Sequence, residues 1–154
     1  SNAPSSNQNA RGGFLNLSLS TTRAHMVRSI LEGVAYNLRW LLPYVEQFSG
    51  KEFEQICLSG GGALSDEWSQ ILADVMGRPL LQLEEPRHCI TRTTAFLGFE
   101  RLGLLEMADF PKFNRVRRPY EPRPEQSAVY DRLFEQFLAA FDRNRPIFDS
   151  LNAQ

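Results

Sequence analysis

Gly60, Gly61 and Gly62 end the apolar run at residues 55 to 59 and precede a segment with helical spacing, Asp66 to Met76. A strand, a glycine turn and a helix start aim backbone N–H groups and a helix dipole at one point. That point lies at the carboxyl end of a strand, where open α/β sheets bind ligands. Three adjacent glycines remove every Cβ that would hold off a flat base or a phosphate, whereas a tight turn alone needs one glycine at positive φ. The pattern is neither a Walker A loop, since no Gly-Lys-Ser/Thr follows, nor Gly-x-Gly-x-x-Gly. Asp66 and Glu67 suit a bare helix dipole but repel a polyphosphate aimed at that terminus. A nucleotide bound here is therefore expected to present its adenosine end, with the reactive phosphate elsewhere. Asp66 either accepts a hydrogen bond from an exocyclic amine or is a plain helix-start acid.

Other chemistry-bearing residues have structural readings. His25 sits at a helix start, in a capping or packing role. Trp68 has core spacing with Leu72 and Val75 and is expected to pack rather than stack on a base. Glu32 interrupts an apolar stretch and needs a partner such as Arg28 or Arg39. Arg115, Arg117 and Arg118 read as solvated surface. Cys57, in an apolar run, reads as a buried thiol, and Cys57 and Cys89 lack metal-ligand spacing. The two cysteines place the chain in the cytosol.

The elements that must position these residues come from periodicity. Residues 14 to 19 form a short strand or an extended lead-in. From Met26 to Phe48 apolar residues recur at i, i+3, i+4 and i+7, predicting a helix after the N-cap candidates Ser20 to Thr22. Pro43 should kink it or end its regular part near Leu42, and Gly50 closes it. Residues 55 to 59 read as a buried central strand, 65 to 76 as a helix capped by Gly77, 79 to 83 as a strand, 84 to 87 as a turn and 90 to 102 as a helix. Residues 106 to 124, with Pro111, Pro119, Pro122 and Pro124, read as irregular. A last helix spans 125 to 143, and Pro146 breaks or bends it. Alternating strands and helices predict an α/β fold with parallel pairing. Two strands make a poor sheet, so partner strands are expected upstream, and the open edge predicts self-association as a homo-oligomer.

The 154 residues suffice for one domain; 42% are apolar and 23% charged, and the net charge is −1. That balance gives no broad electrostatic reason to expect nucleic acid or an anionic membrane. No run approaches the roughly 20 apolar residues that span a bilayer. Ser1-Asn2-Ala3 looks like a remnant of tag cleavage, and residues 1 to 10 are expected to be a disordered lead-in outside the fold.

The stretch GGGALSDEWSQILADVMGRPL resembles the second nucleotide-loop motif of the FGGY family of carbohydrate kinases. Its fixed positions fall on Gly60, Gly61, Gly62, Ala63, Ser65, Trp68, Gln70, Ala73 and Asp74. Upstream, Gly12, Phe14, Leu17, His25, Leu31, Glu32 and Gly33 resemble the family's other signature, in a register nearest to xylulokinases. Tyr130 and the Phe-rich helix resemble its closing helix. The resemblance covers residues 11 to 151.

It implies a ribonuclease H-like domain of the actin-like ATPase and sugar kinase superfamily, truncated at its N-terminal strands. This is the nucleotide-side domain of an enzyme that transfers the γ-phosphate of ATP, with Mg2+, to a sugar hydroxyl. By resemblance Gly60 to Gly62 and Ala63 line the adenosine site and Asp66 sits beside the adenine. The sugar is held mainly by another domain, and this chain is not catalytic alone. Two departures stand out. Asn16 replaces a usual glycine. Thr93 and Thr94 replace small residues in the helix that faces the loop, and their bulk either narrows the pocket or shifts the helix. The alternative is a kinase-derived module that has lost nucleotide binding and acts through protein contacts.

Overall fold

Thr22 opens the first helix, α1 (Arg23–Ser49), with a reciprocal cap. Its hydroxyl accepts from the His25 N–H at 3.3 Å, and His25 Nδ1 accepts from the Thr22 N–H at 3.3 Å. His25 thus caps, as expected. The computed structural model describes residues 3 to 152. Phe53–Arg123 forms one compact unit, and the residues up to Glu52 with those from Pro124 form another.

The second of these pairs α1 with the last helix of the chain, Pro124–Asn152. Tyr36 sits among aromatic rings, 6.3 Å from Tyr130 and 5.5 Å from Phe137, and Trp40 lies 5.2 Å from Phe141. Glu32 finds Arg28 at 2.8 Å, and Arg28 also donates to the Tyr130 hydroxyl at 2.9 Å. Arg39 pairs with Asp131 at 2.6 Å. Neither helix stops at its proline: α1 runs through Pro43 to Ser49, and the last helix runs through Pro146. A missing N–H costs a helix one bond, and both helices continue past it. Residues 7 to 9 make contacts with the last helix. Asn7 and Asn9 donate to Asp149 at 3.0 and 3.1 Å, and Asn152 donates to the Asn9 carbonyl at 3.2 Å. Ser1 and Asn2 lie outside the described residues.

Burial pushes the Tyr36 hydroxyl well above the usual tyrosine pKa, and that hydroxyl has no hydrogen-bond partner among the described residues. A buried orphan costs about 1–3 kcal/mol. Tyr36→Phe, which keeps the ring contacts, is therefore expected to raise stability by about 1 kcal/mol, read as a higher midpoint in a denaturant melt. A fall in midpoint contradicts the assignment.

The Phe53–Arg123 unit is built on a three-stranded sheet, β1 (Ile56–Leu58), β2 (Leu80–Leu83) and β3 (Val116–Tyr120), in the order β1-β2-β3. β1 and β2 are parallel, joined through α2 (Asp66–Met76), as the alternating pattern predicts. Ile71, Leu72, Ala73 and Val75 of α2 are buried with Leu80 and Leu83 of β2, giving this unit its core.

Three expectations are corrected here. β2, not β1, is the middle strand of this sheet, and Cys57 on β1 is exposed rather than buried. The region read as irregular holds β3, antiparallel to β2. It also holds a 3-10 stretch, Met107–Phe113, whose Phe110 and Phe113 flank the buried Phe96 of α3 (Cys89–Arg101) at 5.0 and 5.6 Å. The fourth helix, Pro124–Asn152, is α4.

Candidate functional site: the glycine turn

Between β1 and α2 the chain does not pass straight from strand to helix. Gly61–Leu64 makes a 3-10 turn, and Ser65 then caps α2 by accepting from the Trp68 N–H at 3.2 Å. The three glycines serve three different purposes. Gly60 has φ +88°, a backbone state open to glycine, and its N–H donates to the Pro86 carbonyl at 2.8 Å. Gly62 lies under the Trp68 indole: a Cβ there would stand 2.0 Å from the ring. Trp68 therefore packs, as its spacing predicts. Gly61 has neither reason. Its φ is ordinary and a Cβ would meet nothing within 4 Å.

Ala63 is fully buried. Its carbonyl accepts from the Gln82 side chain, so it pins the turn to β2. Gln82 is itself fully buried, and its other amide atom, Oε1, lies 3.5 Å from the Tyr120 hydroxyl. Asp66, in the first turn of α2, accepts from the Tyr120 hydroxyl at 2.7 Å and from Arg118 Nη1 at 3.3 Å. The Arg118 guanidinium also lies over the Tyr120 ring, 4.9 Å from its centroid. The hydrogen bond from Tyr120 holds the Asp66 carboxyl below its usual pKa, with help from the charge of Arg118. Arg118 is thus not merely solvated, as its sequence context suggests.

This arrangement separates what the turn can and cannot hold. A phosphate needs free N–H groups at a helix start. Here the Gly60 N–H is engaged, the Ala63 N–H bonds the Gly60 carbonyl at 3.2 Å, and Asp66 and Glu67 place two carboxylates in the first turn of α2. A flat, uncharged group meets no such conflict at Gly61, where the missing side chain leaves open space. Neither Thr93 nor Thr94 comes within 4 Å of a Cβ built at Gly60 or Gly61, and the Thr94 hydroxyl turns back to the Ile90 carbonyl at 3.0 Å. Next to the turn, Leu64, Pro86, His88 and Arg117 border a cavity of about 600 Å³.

The network of Gln82, Tyr120 and Arg118 escaped the sequence reading. Gln82 carries a signal that points to it, being the one polar residue in the strand run LLQL. A buried amide demands partners.

Residues 1–91 match the FGGY family of carbohydrate kinases, C-terminal domain. Among characterised proteins, the autoinducer-2 kinase of Enterobacter sp. (strain 638) is 30% identical over 92% of this chain and 27% of its own length. The glycerol kinase of Myxococcus xanthus is 38% identical over 82% and 25%. The crystal structure of xylulose kinase from Rhodospirillum rubrum superimposes with a TM-score of 0.76 at 31% identity, covering 90% of this chain and 28% of that one. Ligand-bound xylulose kinase from Lactobacillus acidophilus gives a TM-score of 0.79 at 25% identity over 93% and 29%. The chain spans about a quarter of the length of the curated relatives it matches.

Proposed function

This chain belongs to the FGGY family of carbohydrate kinases, and from that premise we propose that it holds the adenosine half of ATP while the γ-phosphate passes to a sugar or polyol hydroxyl. The observation that carries this reading is Gly61, a glycine that neither the turn nor the packing requires. Gly60 and Gly62 shape the turn, Ala63 anchors it, and Asp66, in the first turn of α2, is assigned to the adenine amine. The phosphates then point away from α2, as the carboxylates at its start demand. Mg2+ belongs with those phosphates, and no residue of this chain is assigned to it. Phosphoryl transfer of this kind is a matter of positioning and charge stabilisation, and this chain contributes positioning.

In this reading residues 11 to 151 are the nucleotide-side domain of a cytoplasmic enzyme, ribonuclease H-like in fold, and catalysis requires residues beyond this chain. The kinship spans kinases named for autoinducer-2, glycerol and xylulose alike, which favours a hydroxyl acceptor over any single substrate. A ketopentose of the xylulose type is the first acceptor to try.

Calorimetric titration with ADP of the chain and of Gly61→Ala tests the reading. The added methyl meets no protein atom, so stability is expected to stay within about 0.5 kcal/mol. The same methyl intrudes on a base laid over the turn, and ADP affinity is expected to fall about tenfold or more, or 1.4 kcal/mol. Equal affinity in the two chains refutes it.

A further inference from the structure

We propose that Tyr120 is a positioning residue for the Asp66 carboxylate, and that by fixing it Tyr120 sets a preference for adenine over guanine at the glycine turn. The inference rests on the nucleotide reading above and adds to it a strand, β3, that the signature motif does not contain.

Tyr120 is 3% exposed, and its hydroxyl lies 2.7 Å from Asp66 Oδ1 and 3.5 Å from Gln82 Oε1. A phenol has one proton to give, and the shorter contact takes it. Gln82 keeps its Oε1 toward the phenol because its Nε2 donates to the Ala63 carbonyl. The same amide that pins the glycine turn therefore also faces the phenol with an acceptor, which leaves Asp66 as the better recipient of the proton. Arg118 closes the arrangement from outside, stacked on the Tyr120 ring and 3.3 Å from Asp66 Oδ2.

The result is a carboxylate held in place and held ionised. The groups that bear on it are Tyr120, Arg118 and Arg117 of β3 and Gln82 of β2; the bond from Tyr120 lowers its pKa most. An ionised carboxylate only accepts hydrogen bonds. Adenine carries an amine where guanine carries a carbonyl oxygen, so in one pose the first donates to Asp66 and the second meets it with a lone pair. Discrimination of this kind needs a fixed acceptor, because a free carboxylate turns aside. A hydrogen bond to the ionised form depresses the pKa, so protonation, which removes the charge and leaves a weaker acceptor, occurs only as pH falls through that depressed value.

Tyr120→Phe keeps the ring and removes only the donor. Two measurements on the full chain test the proposal. In a carbon-13 NMR titration without nucleotide, the Asp66 carboxyl is expected to protonate at higher pH in the variant than in the parent. In binding titrations with ADP and GDP, the preference for ADP is expected to fall roughly tenfold, and the acid limb of ADP binding to move to higher pH. An unmoved Asp66 titration overturns the positioning role. A moved titration with unchanged base preference overturns the specificity role. If the parent binds neither ADP nor GDP, the nucleotide reading falls and base preference with it, while the Asp66 titration still reports whether Tyr120 holds the carboxylate. Arg118→Gln serves as the comparison, since it retains the Tyr120 bond and is expected to keep most of the base preference.

Discussion

Arg123→Ala is expected to lower the stability of the Phe53–Arg123 unit by about 3 kcal/mol. The cause is not the arginine, whose side chain is 46% exposed, but its partner: the Asp74 side chain is 0% exposed. Arg123 reaches that carboxylate with Nε at 3.0 Å and Nη2 at 2.6 Å, while its backbone N–H and Gln70 Nε2 satisfy the other oxygen at 2.8 and 3.0 Å. Truncation removes the only charge among these donors and leaves a buried anion held by neutral groups. Removing one partner of a buried pair costs more than the pair contributes. For a chain of this size the thermal midpoint is expected to fall by about 10 °C. Arg123→Lys, which keeps the charge but loses the fork, is expected to recover part of the loss. A melt within about 1 kcal/mol of the parent contradicts the account.

Gly62→Ala is expected to cost about 2–3 kcal/mol by overpacking. The new methyl would lie 2.0 Å from one Trp68 ring carbon and 2.7 Å from a second. The indole is rigid, so it must swing off the turn as a whole. The measurement is a denaturant melt read alongside tryptophan fluorescence, in which an indole moved into water shifts to longer wavelength. Gly61→Ala one residue earlier is expected to do neither. Two adjacent glycines with opposite responses separate a packing constraint from a binding one. Equal stability for both variants would refute the placement of Trp68.

Much of this was legible because the signals were local. The 3.6-residue spacing of α1 and α2 and the Thr22 cap depend on near neighbours, and so do the left-handed ends at Gly50 and Gly77. The motif residues were legible as a set, but their roles were not. Trp68 covers Gly62, while Gln70 and Asp74 grip the chain at Glu121 and Arg123, about fifty residues away in sequence. Those roles depend on β3, and β3 hides itself. Four of its five residues are exposed and three are Arg or Pro, so no alternation survives. It is a strand because β2 supplies the partner, which composition cannot register. Cys57 failed for a complementary reason: an apolar run promised burial, but burial of a strand residue depends on a layer over its face, and Cys57 is exposed. Of the readings offered for Pro43 and Pro146, those that end the helix did not hold, since both helices continue past their proline.

Pro119 sits opposite Leu81 in the antiparallel ladder. A proline is tolerated there only with its nitrogen turned away from β2, so the far flank of β3 lacks a donor at its fourth residue. Lengthening of the sheet is thereby made one-directional. Any additional strand, from this polypeptide or from another copy, has its hydrogen-bonding berth beside Ile56, Cys57 and Leu58. An exposed thiol at the centre of that berth offers a place for a label to report its arrival.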